Sequence, residues 1–110
     1  MISLKMYRGD DKNYELKVTD KQTGNAVDIT GCIITWTWKE KITDTVPFLQ
    51  KDFTPTDPTN GVAEVEIIAT DTNSLTAKST FIWDIYILKT TGKGETLLKG
   101  KMTVYLDVNV

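Results

Sequence analysis

The chain has 110 residues, 40% of them hydrophobic and 25% charged, with a formal net charge of -2 and no histidine. That length suits a single domain, 1–110, able to bury roughly two-thirds of its unfolded surface without a staple. Thirteen basic residues spread among 15 acidic ones offer no concentrated positive face, which argues against nucleic acid and against a membrane as partners.

Leu4–Arg8 reads as a short edge strand closed by a turn at Gly9-Asp10-Asp11. Tyr14, Leu16 and Val18 alternate with Glu15, Lys17 and Thr19, the pattern of a half-buried strand. Asp20–Asn25 is a turn, followed by a brief extended segment at Ala26–Ile29. In Cys32–Trp38, Cys32, Ile34, Trp36 and Trp38 fall on one face and Ile33, Thr35 and Thr37 on the other. Lys39–Thr45 is too short and too poorly patterned for a helix and reads as a loop leading into a weak strand, Phe48–Phe53. Pro55 and Pro58 then place 54–61 in a surface loop, because proline has no N–H to give a ladder.

Val62–Ile68 resumes the alternation, and Thr70–Leu75 carries one helical turn that Thr70 would cap while Leu75 enters the core. Thr80–Leu88 is the strand around which the rest is organised. Its odd positions Phe81, Trp83, Ile85 and Ile87 are all apolar and its even positions nearly so, which requires neighbours along both edges and a second layer on the Phe81 side. A hairpin through Thr91–Gly94 leads to a last strand in which Met102, Val104, Leu106 and Val108 alternate inward. About seven to nine short strands with regular turns give an all-β, antiparallel, immunoglobulin-like sandwich.

The chemistry available is sparse. Without histidine, and with Cys32 the sole cysteine and set in an apolar run, zinc, iron–sulfur and Cys/His catalysis lack their parts, so no cofactor, no metal and no enzymatic activity are expected. The lone thiol and the lack of an apolar leader point to maturation in a reducing cytoplasm. Glu64 and Glu66 read as the wet face of a strand, and Asp10, Asp11, Asp57 and Asp71 as turn-forming carboxylates without calcium-loop spacing. Arg8-Gly9-Asp10 matches an integrin-recognition tripeptide but reads as turn chemistry. Trp36 and Trp38 share a face, so an exposed pair would make a sugar-stacking platform of the kind found in carbohydrate-binding modules; core packing with Trp83 is the better reading, with Trp38 the nearer of the two to solvent. The faces assigned outward still carry Ile33, Ile68, Ile82, Tyr86, Leu88 and Tyr105, enough apolar surface to expect a protein-contact site if they gather on one sheet.

The order of these signals is recognisable: Arg8-Gly9-Asp10 after a short strand, Val27-Asp28-Ile29-Thr30-Gly31 opening the Cys32–Trp38 strand, Gly61-Val62, Thr70–Leu75, Trp83-Asp84-Ile85, Gly92-Lys93, Thr96–Gly100, and a final Leu106-Asp107-Val108. It resembles the small immunoglobulin-like modules of tailed bacteriophages and prophages, similar to the N-terminal domain of the siphophage upper baseplate protein. The resemblance implies a non-enzymatic virion protein, assembled in the bacterial host cytoplasm, that docks in the tail, baseplate or fibre base against other virion proteins and copies of itself. A capsid-decorating cement protein is the alternative within that class. The chain would then be a free-standing adaptor or decoration subunit, with no catalytic residues to carry over from the family.

Overall fold

Period-two alternation governs nearly every element of the computed structural model, which describes residues 2–107. Among these residues eight strands form: β1 (Ile2–Tyr7), β2 (Lys12–Lys17), β3 (Ile33–Lys39), β4 (Leu49–Asp52), β5 (Thr54–Asp57), β6 (Val62–Ile67), β7 (Ser79–Leu88) and β8 (Gly94–Tyr105). One sheet has the order β1-β8-β7-β3-β4 and the other β2-β6-β5. The second, fifth and sixth strands in one layer, and the third, seventh and eighth in the other, make the immunoglobulin-like sandwich, with β4 extending the larger sheet. Strand β7, the organising stretch of the sequence, is the middle strand of five.

Several expectations need correction. Strand β1 runs parallel to β8, Met6 beside Val104 and Tyr7 beside Tyr105, so the sandwich is not purely antiparallel. Residues 54–57 are a strand, β5, and only Pro58–Asn60 form a 3-10 turn. The prolines permit this because β5 lies at a sheet edge, with an irregular register between Pro55 and Asp57. The brief segment at Ala26–Ile29 contributes an isolated bridge, Thr19 to Ala26. The inward alternation of β8 stops at Val104, since Leu106 is exposed and Val108 lies outside the described residues.

The layers are joined by an aromatic cluster where many immunoglobulin domains have a disulfide. Trp36 of β3 lies 5.3 Å from Tyr14 and Trp38 and 5.6 Å from Trp83, all close to edge-to-face. Phe48 stacks on Phe81 at 4.4 Å. The indole N–H groups of all three tryptophans are buried without a partner among the described residues, at a cost of about 1–3 kcal/mol each. Burying about 200 Å² of aromatic surface contributes about 5 kcal/mol per side chain at ~25 cal/mol per Å², so apolar burial outweighs the orphaned donors. Backbone proximity does the rest: Gly100 faces Trp83, and a Cβ there would collide with the indole and with the Ile2 carbonyl oxygen. Trp38 is fully buried, so its nearness to the loop does not bring it to solvent. The Phe48 N–H donates to the Trp38 carbonyl, and Phe48 itself closes that end of the core.

The loops are anchored by polar contacts. The helical turn α1 (Ala69–Thr72) is capped at Ile68 by the Asp71 carboxylate, which accepts the Ile68 N–H at 2.8 Å. Thr70 lies within the helix and does not cap it. Leu75 enters the core as expected. Arg8 donates to Asp107 Oδ1 and to the Leu75 carbonyl, its side chain only 13% exposed. The Gly9 N–H donates to Thr72 Oγ1, and Asp11 accepts from the Ala69 N–H. Arg8-Gly9-Asp10 is therefore a clamp between the first turn and α1, with its arginine turned inward instead of displayed.

Candidate docking surface

Cross-strand register decides which side chains share the outer face of the larger sheet. Ile33 stands opposite Leu88, Thr35 opposite Tyr86, Thr37 opposite Asp84 and Lys39 opposite Ile82. On the other side of β7, Ile82 faces Lys101 and Asp84 faces Lys99. Five of the six apolar residues assigned outward, Ile33, Ile82, Tyr86, Leu88 and Tyr105, thus lie on this one face. Ile68 does not. It follows β6 of the smaller sheet and begins α1.

The five residues form an apolar corner and two outliers. Ile33, Tyr86 and Leu88 are contiguous at one end, Ile33 being 52% and Tyr86 43% exposed. Tyr86 lies across Gly94, whose missing side chain makes room for the phenol; any Cβ there would overlap the ring and hydroxyl. Ile82 sits between Lys39 and Lys101, and Tyr105 lies 6.0 Å from Tyr7 with the Lys78 ammonium 5.2 Å above its ring. Asp84 and Lys99, in register in the middle, make the centre of the face polar.

A groove of about 590 Å³ runs over that centre. Thr35, Thr37, Asp84 and Ile82 form its floor, Tyr86 and Lys99 one wall, and Ile42, Thr45 and Pro47 the other. Sequence reasoning passed over this second wall. The loop between β3 and β4 carries Ile42 and Val46 at 76% and 77% exposure, and two isolated aliphatic residues in an otherwise polar loop were the available signal. Polar contacts hold the floor in place: Thr35 Oγ1 donates to Asp52 at 2.9 Å, and the Gln50 amide donates to Thr37 Oγ1 at 3.0 Å.

The opposite outer face has another character. Glu15 of β2 stands directly across from Glu64 of β6, with Glu66 two residues along and Thr54 on the far side of Glu64. Glu64 and Glu66 occupy the wet face assigned to them by alternation. Turn carboxylates at Asp11, Asp28, Asp57 and Asp71 are engaged in hydrogen bonds within the fold. Asp71 caps α1 and pairs with Lys51, and Asp28 accepts both the hydroxyl and the N–H of Thr30, which together hold its pKa below the ordinary aspartate range. Burial beside Trp36 pushes the Tyr14 phenol up. Among the described residues no group of three or more His, Cys, Asp or Glu is placed to hold a metal ion, and no helix is long and apolar enough to cross a membrane. Trp36 and Trp38 are buried in the core, which removes the platform on which sugar stacking would rest. Compared with known protein families and with curated proteins, the chain finds no match.

Proposed function

We propose that this chain is a structural docking module of a bacteriophage virion, of the tail, baseplate or fibre base, which acts through the outer face of its five-stranded sheet. The observation that carries the reading is the gathering of Ile33, Tyr86 and Leu88 into one exposed corner, next to a groove that Tyr86 shares with Ile42 of the β3–β4 loop. Residues this apolar are at no advantage in water, and an exposed apolar sheet face bordered by polar groups is the usual form of a protein-contact surface. The resemblance in motif order to phage immunoglobulin-like modules supplies the setting. Decoration of a capsid would use the same surface.

The test is to express the Tyr86→Lys chain in the producing host and to compare its incorporation into purified particles with that of the unaltered chain. The reading predicts that Tyr86→Lys is folded, by circular dichroism, and absent from particles. Incorporation at the unaltered level, or particles that never contain either chain, would overturn it.

A further inference from the structure

The two outer faces of the sandwich carry opposite charge. Facing outward on the larger sheet are Lys5, Lys39, Lys99 and Lys101 against Asp52 and Asp84, four positive to two negative, a net of +2. On the smaller sheet Glu15, Glu64, Glu66 and Asp57 stand against Lys17, four negative to one positive, a net of -3. Glu15 and Glu64 are directly opposite one another, an arrangement that costs an isolated sheet stability.

Each face carries its charges as a pair on a single strand. Lys99 and Lys101 are two apart on β8, and Glu64 and Glu66 are two apart on β6, so each pair spans about 6.6 Å along its strand. From these observations, and resting on the docking reading above, we infer that the occupant of the five-stranded face is a second copy of this chain, presented by its three-stranded face. The contact is heterologous: Lys99 and Lys101 of one copy meet Glu64 and Glu66 of the next, with Tyr86 and Ile82 laid against the smaller sheet. A symmetric contact of the larger face with itself would bring together two faces of net +2 each, and like charge across an interface disfavours that pairing. A head-to-tail contact leaves one face of each kind free at the ends, so it propagates into a ring or a stack.

The smaller sheet sets the size of the contact. Strands β2 and β6 are six residues long and β5 four, so at about 4.8 Å between strands the face covers at most roughly 14 by 20 Å, less than a standard specific interface buries on each partner. The contact is therefore weak in pairs, salt-sensitive, and reinforced when a ring closes.

The experiment is sedimentation equilibrium of the full chain from micromolar to millimolar concentration at low salt, with two double variants. Lys99→Glu with Lys101→Glu spoils the larger face; Glu64→Thr with Glu66→Thr spoils the smaller one and relieves the Glu15 repulsion, so it remains folded. The unaltered chain is expected to grow beyond a dimer with concentration. Each double variant alone is expected to associate about tenfold or more weakly. Mixed in equal amounts they form a 1:1 dimer and nothing larger, because each supplies the face the other lacks. A wild-type dimer that grows no further, undiminished association of either variant, or a mixture that stays monomeric would each overturn the inference. If the unaltered chain is monomeric throughout while Tyr86→Lys is still lost from particles, self-stacking is overturned and the docking reading stands.

Discussion

The two sides of β7 are built from the same strand by the same alternation, yet they have different tasks. Inward, Phe81, Trp83, Ile85 and Ile87 are all buried among aromatic neighbours. Outward, Ile82, Asp84, Tyr86 and Leu88 mix apolar and charged groups and remain partly or largely open. The inner side accounts for folding. The outer side can change with little effect on it, and the difference between the sides separates what holds this domain together from what it offers to others.

The comparison is broken most severely from within. Trp83→Ala removes a ring packed against Trp36 and Gly100 and is expected to cost about 3–5 kcal/mol, read from the midpoint of denaturant unfolding. Gly100→Ala attacks the same contact from the backbone; the new methyl has to displace the indole or β1, and about 1–3 kcal/mol of stability should be lost by the same measurement. Arg8→Ala strips hydrogen bonds from Asp107 and the Leu75 carbonyl in a part-buried site, with an expected loss of roughly 1.5–3 kcal/mol. Thermal unfolding of Arg8→Lys, which keeps the charge but not the fork, should fall between the two.

On the outer side, Tyr86→Lys gives up the packing of the phenol over Gly94 and is expected to cost about 1 kcal/mol while abolishing docking, which is the contrast in its sharpest form. The smallest effect lies off both faces, at Asp28. Its carboxyl is held below the ordinary range by Thr30, so its contribution to stability is present above the unfolded pKa and is lost as pH falls through the lower folded value. Thr30→Val removes the hydroxyl donor, and the Asp28 titration followed by NMR should move up toward the ordinary range.

How much of this was legible in the sequence depends on how local the cause is. Alternation placed the buried rows of β3, β6 and β7, because the side-chain period of a strand is set by its own backbone. It also placed the outer row of five apolar residues, since facing inward and facing outward are one statement. What it did not convey came from contacts distant in sequence. Trp38 looked exposable from its position beside a loop, but Phe48 and Phe81, ten and more residues away, enclose it. The strand at 54–57 was hidden because two prolines read as a loop until β6 is seen to leave an edge for them. Ile68 continues the alternation of a strand whose last ladder residue is Ile67, and the Asp71 cap turns the chain there. The parallel pairing of β1 with β8 joins the two ends of the chain, and no short stretch of sequence encodes it.

The most direct test of the central claim is hydroxyl-radical footprinting of the chain free in solution and after incorporation into particles, read residue by residue. The account predicts that Ile33, Tyr86 and Leu88 lose reactivity on assembly while Ile68 keeps most of its own. Unchanged reactivity at Tyr86 and Leu88 in assembled particles would contradict it.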